Sequence, residues 1–371
     1  MSDTLGSNGS IALTGATGFL GRAVLAQLLA TTDAEMICLV RADTAADARD
    51  RGLETLAAAL DRQPTPAESA RVSWLRADIE EVRLGLDETT WTQLASTIGD
   101  VFHCAASVRF DLDLEDAQRI NVDGTSHVLE VATEANRQGH FGCFHHVSTA
   151  YVAGKTKGHR TADFLPSDRA GNFRNSYERT KARCERMLRS QTEVPVSIYR
   201  PSIVGGTIET GRTDNWNVLY VPMRMIANGH LPVAPIGGEA LVDTVGYDYV
   251  ARAMVHLATT DRGGFVGHHL TAGHPFTVGE FITTTKRVAH SLDKSPSAAR
   301  LVHPGRWRLL TAMVTVAARA PKWTGRVRTG GRLAANVLRK ATPYAPYTSV
   351  SSGFDNRRER SMLEPAGISM P

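Results

Sequence analysis

Three glycines, Gly15, Gly18 and Gly21, stand where a short apolar run meets an amphipathic one, and this junction constrains the fold more than any other stretch. Residues 10–14 (Ser-Ile-Ala-Leu-Thr) read as a buried strand. After Gly21, residues Val24, Leu25, Leu28 and Leu29 recur at the spacing of one helix face. The first glycine permits a tight turn, the second lets backbone approach a pyrophosphate, and the third lets the helix pack closely on the strand. Free N–H groups at the helix N-terminus then face an anion. The expectation is a strand–turn–helix unit that binds a dinucleotide.

The next strand, 36–40, ends in Arg41. An acidic side chain at this place holds the ribose 2′-hydroxyl of NAD, whereas a guanidinium suits a 2′-phosphate. NADP(H) is therefore the expected cofactor; Asp43, two residues on, argues for NAD if the loop folds otherwise.

Strand-like and helix-like segments alternate from residue 10 to about 204. Helix is expected over 44–62, broken by Pro64 and Pro66, and as one long element over 115–137. Strands are expected over 72–75, 101–104, 144–147 and 196–200. Such alternation makes an α/β fold with a doubly wound parallel sheet. Ligands bind beyond the carboxyl ends of its strands, and the Gly15–Gly21 loop, Arg41, Asp78, Ala105, Ala106, Thr149 and Pro201 all fall at those ends. Residues 1–204 are read as the nucleotide-binding domain, with 242–272 returning to it and a helix over 249–259. Residues 205–241 and 273–371 are read as a smaller, mostly helical substrate-binding region.

Tyr177 and Lys181 lie four apart in a helical stretch and share a face. An ammonium beside a phenol favours the phenolate, so the tyrosine pKa is expected to fall from about 10 toward neutrality. A group of that kind can protonate an oxyanion.

With 42% apolar and 22% charged residues, the 371-residue chain reads as an ordinary globular protein. No apolar run approaches a membrane span and the first ten residues are polar, so a cytoplasmic protein without a signal peptide is expected. Cys38, Cys104, Cys143 and Cys184 lack metal spacing and read as reduced thiols. His145-His146 and His268-His269 read as strand or loop residues, and no metal is expected. The five tryptophans are dispersed, which argues against nucleic acid.

The net charge of +4 is unevenly placed: between Asp293 and Asp355 there are eleven basic residues and no acidic one. Apolar residues such as Trp307, Leu309, Leu310 and Val316 interleave with them. A basic amphipathic helical segment over 294–354 could dock an acidic carrier protein, grip coenzyme A phosphates or touch an anionic membrane, or form a solvated face.

Several segments together resemble the extended short-chain dehydrogenase/reductase superfamily, and within it the thioester-reductase branch. They are Thr14–Gly21, Cys38–Arg41, Leu84–Leu86 after Asp78, His103–Ala106, Val147–Val152, Ile198–Gly206, Asp243 and Asp248–Ala251; Phe354-Asp355 and Met362-Leu363 add a looser match. That branch holds male-sterility-type fatty acyl-CoA reductases and the terminal reductase domains of carboxylic acid reductases and of peptide or polyketide synthetases. The resemblance implies that Gly15, Thr17, Gly18, Phe19, Leu20 and Gly21 line the pyrophosphate loop and that Arg41 takes the 2′-phosphate. It implies that Asp78 and Ile79 flank the adenine, Ala105 and Ala106 pack near the ribose, and Asn121 supports the site. Pro201, Ser202 and Ile203 lie beside the nicotinamide. Thr149, Tyr177 and Lys181 form the catalytic triad, with Ser148 a competitor for the Thr149 role; Tyr177 and Lys181 also bind the cofactor, the lysine through the nicotinamide ribose hydroxyls.

The implied reaction is NADPH-dependent reduction of an acyl thioester, on coenzyme A or a carrier protein, to an aldehyde; whether reduction continues to the alcohol is open. Two rivals share these motifs: an extended reductase or epimerase acting on a nucleotide-sugar or a free ketone or aldehyde, and a non-catalytic NADP(H)-sensing protein.

Overall fold

Every strand expected in the first two hundred residues enters one sheet, whose central strands are almost wholly buried. The structure, a computed structural model, describes residues 5–216, 219–230, 233–235, 240–261, 264–298, 300–302, 347 and 352–370. The strands are β1 (Ser10–Thr14), β2 (Met36–Val40), β3 (Val72–Arg76), β4 (Ile98–His103), β5 (Cys143–Val147), β6 (Val196–Pro201) and β7 (Phe265–Leu270). All pair in parallel, in the order β7-β6-β5-β4-β1-β2-β3. The order reverses between β1 and β4, which opens a crevice at their carboxyl ends.

The helices that flank this sheet are α1 (Phe19–Thr31), α2 (Ala45–Leu60), α3 (Glu88–Thr97), α4 (Gly124–Arg137), α5 (Ser176–Ser190) and α6 (Tyr247–Thr260). Alternation along the strands divides the core. Ile11, Leu13, Met36, Cys38 and Val40 pack with α1, α2 and α6. Ala12, Leu39, Val101, Phe144 and Ile198 pack with α3, α4 and α5. Burial on both faces explains why the strands read as continuous apolar runs.

Two expected helices differ in detail. The first ends at Leu60, with Asp61 in the left-handed region (φ 53°). Pro66 starts a separate one-turn helix, Pro66–Ala70, capped by Thr65 and Glu68 in a capping box, because proline fits a first helical turn. The long helix over 115–137 is interrupted: residues Arg119–Asp123 form one π-helical turn between Leu114–Gln118 and α4. That turn carries Asn121.

The chain after β6 adds short pairings. Ile203–Gly205 runs parallel to Thr244–Gly246, and Ser352–Phe354 runs parallel to Gly158–Arg160. The helix Arg357–Leu363 buries Leu363 against the face of the sheet that α6 covers. Most of the basic segment 294–354 lies outside the described residues. No helix among the described residues is long and apolar enough to cross a membrane. All four cysteines are free thiols, and no cluster of metal-ligating side chains occurs among the described residues.

Candidate active site

The glycine loop leaves β1 and enters α1 at the sheet's carboxyl edge. Gly15 has φ +72°, and a β-carbon there would lie 2.6 Å from the Ala105 nitrogen. A β-carbon on Gly21 would lie 2.0 Å from the Gly15 carbonyl oxygen, so the third glycine is required by contact with the first. Gly18 caps α1 through backbone alone: no side chain caps the helix and its first turn holds no acidic residue. The first-turn N–H groups are thus open to an anion. A dinucleotide pyrophosphate fits this cradle.

A cleft of about 540 Å³ lies beside the loop, lined by Arg41, Arg51, Arg76, Asp43 and Asp78 among others. Arg41 is held at 3.1 Å by Glu80, which Arg119 also contacts. Arg51 donates to the Arg41 carbonyl at 2.8 Å, and its other nitrogen reaches the Thr17 hydroxyl at 3.4 Å. Arg76 donates to the Ala42 carbonyl at 3.0 Å. Sequence reasoning found Arg41 and missed Arg51 and Arg76. The signal was the i, i+3, i+4 spacing of Asp47, Asp50 and Arg51, which turns one side of α2 to the cleft. Asp78 folds its carboxylate back onto the Glu80 N–H (3.0 Å). The Ile79 carbonyl is bonded to His127 at 2.8 Å, and the Ile79 side chain lies against Gly124 at the start of α4.

Tyr177 enters on the first turn of α5, which Asn175 caps by accepting from the Glu178 N–H at 2.9 Å. Thr149 follows β5. Its hydroxyl donates to the Pro201 carbonyl at 3.4 Å, accepts from the Tyr151 N–H at 3.3 Å and lies close to the Tyr177 phenol. Ser148 points elsewhere: its hydroxyl donates to the buried Glu185 at 2.6 Å, a carboxylate that Arg200 also holds. The two neighbours are thereby separated, with Thr149 on the Tyr177 side. Beyond Pro201, the Ser202 N–H donates to the Leu270 carbonyl and the Ile203 N–H to the Asp243 carbonyl, both at 3.2 Å.

The expected fall in the tyrosine pKa is corrected by the structure. Burial raises the Tyr177 phenol above its ordinary value, and the nearby Thr149 hydroxyl only partly offsets this. Lys181 is 2% exposed and its ammonium donates to His146 at 3.2 Å. Burial moves the lysine pKa down. Residue spacing placed the two on one helix but could not register how deeply both are desolvated.

A buried polar net ties these parts together. The Asn121 amide accepts from the Ser107 N–H at 2.8 Å and donates to the Thr180 hydroxyl at 3.0 Å, joining the loop after Ala105 and Ala106 to the Tyr177 helix. Thr125 donates to the Asn121 carbonyl at 2.6 Å and so accepts from His103 Nε2 (3.1 Å). The opposite nitrogen, His103 Nδ1, therefore accepts from Thr14 at 2.8 Å, and Thr14 in turn accepts from the Ala105 N–H at 3.2 Å. His103 is a neutral pin between β1, β4 and α4, its pKa pushed down to about 3 by burial.

An aromatic wall adjoins Tyr177. Phe110 packs against it with centroids 5.8 Å apart, and Tyr347 stacks on Phe110 at 5.2 Å. Tyr347 also meets Tyr151 edge-on at 5.2 Å and receives a hydrogen bond from the Asn175 amide at 2.9 Å. Neither Phe110 nor Tyr347 carries a motif, and only the fold brings them to the site.

The glycine cradle and the Thr149–Tyr177 pair share one sheet edge, and the model of the male sterility protein family matches residues 13–254, the stretch that builds both. The chain belongs to the male sterility protein family. Among solved structures, the terminal R domain from the myxalamid PKS-NRPS biosynthetic pathway has a TM-score of 0.78 at 25% identity. That likeness covers all of this chain and 88% of the R domain. The isonitrile lipopeptide synthase of Streptomyces coeruleorubidus is 32% identical over 263 residues, covering 69% of this chain but only 17% of the synthase. Fatty acyl-CoA reductase 1 of Xenopus laevis is 28% identical over 322 residues, covering 75% of this chain and 62% of the relative. As a family member with the Rossmann sheet of the extended short-chain dehydrogenase/reductases, the protein is an oxidoreductase that binds a nicotinamide dinucleotide.

Proposed function

We propose that the protein reduces an acyl thioester with NADPH, releasing a thiol and an aldehyde. The observation that carries this reading is the close pair of hydroxyls, Thr149 and Tyr177, beside an aromatic wall. Two hydroxyl donors on one point suit a carbonyl oxygen that gains negative charge. The ring faces of Phe110, Tyr347 and Tyr151 suit an acyl chain. Fatty acyl-CoA reductases and the terminal R domain among the similar proteins support a thioester substrate.

NADP(H) is favoured over NAD(H) by Arg41 with Arg51 and Arg76 about the cleft. The uncapped first turn of α1, with Thr17, Phe19 and Leu20, would hold the pyrophosphate. Ala105, Ala106 and Pro201 to Ile203 would line the nicotinamide half. The bound cofactor supplies the hydride. Thr149 and Tyr177 orient the carbonyl and stabilise its developing charge, and Tyr177 gives its proton to the oxygen. A phenol whose pKa is raised by burial stays protonated at neutral pH, as a donor must. Lys181 would hold the nicotinamide ribose hydroxyls, and it contributes the positive charge that offsets the tyrosinate formed. Carbon–sulfur cleavage then releases the thiol, leaving two electrons in the aldehyde.

The test follows NADPH oxidation with acyl-CoA and acyl-carrier thioesters and identifies the products. Aldehyde or alcohol with matching thiol release is expected. Consumption only with nucleotide-sugars or free ketones would overturn the reading in favour of another extended reductase. Tyr177→Phe should abolish thioester-dependent oxidation while NADPH affinity stays within about twofold, since one lost hydrogen bond remote from the phosphates changes binding little.

A further inference from the structure

Lys181 is an ammonium in a place poor in acceptors. The groups facing it are His146 on β5, His103 at the end of β4, Cys104 after it, and Cys184 and Glu185 on its own helix. Burial raises the pKa of both thiols, which keeps them neutral. Glu185 is engaged by Arg200 and Ser148. His103 has both nitrogens bound to threonines. Among the described residues, the hydrogen bond the ammonium makes goes to His146 Nε2, at 3.2 Å. An imidazole can accept there only when neutral with its proton on Nδ1. His146 is completely buried and stacks on His103 at 5.4 Å, so a second cation beside Lys181 is disfavoured. Its Nδ1 has no partner among the described residues, so nothing there competes for the tautomer.

We propose that His146 is a positioning residue that keeps the Lys181 ammonium protonated and in place, acting as a neutral Nδ1–H imidazole whose Nε2 accepts. This rests on the proposed role of Lys181. Without the acceptor, a buried lysine gives up its proton more readily, and a neutral amine binds the cofactor's ribose hydroxyls less well.

The experiment measures NADPH affinity by fluorescence from pH 6 to 10, for the wild type, His146→Leu, His146→Gln and Lys181→Met. In His146→Leu the alkaline loss of affinity should begin about one pH unit earlier, giving roughly tenfold weaker binding at the alkaline end. His146→Gln, which keeps an acceptor, should restore the wild-type profile. A His146→Leu profile that superposes on the wild type while Lys181→Met weakens binding overturns this inference alone. An unchanged affinity in Lys181→Met overturns the role of the lysine itself. Nitrogen-15 spectra of labelled histidine in the cofactor-free protein supply a readout that needs no variant: a neutral Nδ1–H ring is expected for His146, and an Nε2–H or doubly protonated ring overturns the proposal.

Discussion

The Ser148 hydroxyl donates to Glu185 at 2.6 Å, on a carboxylate that also accepts from Arg200 Nε at 2.9 Å. The proposed triad takes its shape from this bond. Two adjacent hydroxyl residues leave β5, and the buried ion pair claims the first. Thr149 remains for Tyr177.

Replacing each in turn should therefore give opposite results. Thr149→Val is expected to lower kcat by about a hundredfold or more, the usual cost of one oxyanion donor. Ser148→Ala should leave turnover near wild type and lower stability by about 1 kcal/mol, because Glu185 keeps Arg200 but loses an acceptor bond. Steady-state kinetics with chemical denaturation separates the two effects. Full turnover in Thr149→Val with loss in Ser148→Ala would reverse the assignment.

Buried neutral histidines should make the protein acid-labile. Burial depresses the pKa of His103 and His269 to about 3 and places His146 well below its ordinary value. A histidine whose folded pKa lies below its unfolded one contributes stability above the unfolded pKa and loses it as pH falls. The unfolded chain binds protons from about pH 6.5 downward while these rings do not. Each should cost about 1 kcal/mol between pH 6.5 and 5.5. Burial works against a charge on His145, but Cys143 and Asp100 push its pKa up to about 9; its folded ring stays protonated while the unfolded ring gains a proton over that window, which offsets the loss by only about 0.3 kcal/mol. Urea denaturation at the two pH values measures the difference, and a flat profile would show that these rings titrate in the folded state.

The cofactor phosphate should be read by Arg51 as well as Arg41. Arg51→Ala is expected to weaken NADPH binding about tenfold and leave NADH binding unchanged, the loss of one charge-assisted contact. Equilibrium binding of both cofactors checks this. An equal loss for both would assign Arg51 to holding the Arg41 carbonyl and Thr17 instead.

The glycine loop was legible because its chemistry is local: Gly15, Gly18 and Gly21 act on one another and on β1 within a dozen residues. The parallel sheet was legible because both its faces are apolar. Features that need distant chain were not. His146 meets Lys181 across 35 residues of sequence and Tyr347 meets Asn175 across 172. Direction of a pKa shift depends on burial, which a spacing of four cannot report; hence the phenol was expected to fall and instead rises. The π-helical turn at Asn121 was hidden for a related reason: Asn121 leaves the α-ladder to hold Ser107 and Thr180, and those partners become visible only in the fold.

Tyr347 offers the sharpest test of the aromatic wall. Its ring stacks on Phe110 and meets Tyr151, while its hydroxyl accepts from Asn175, the cap of the helix that carries Tyr177. Removing the ring and removing the hydroxyl should therefore differ. Tyr347→Ala is expected to raise KM for an acyl thioester about tenfold, the scale of one lost aromatic contact, with NADPH affinity unchanged. Tyr347→Phe keeps the stack and should hold KM within about twofold, losing about 1 kcal/mol of stability with the Asn175 bond. A longer acyl chain should suffer more than a short one in Tyr347→Ala, because the stacked faces offer area and no charge. Equal KM values for Tyr347→Ala and the wild type across chain lengths would place the acyl group away from this wall.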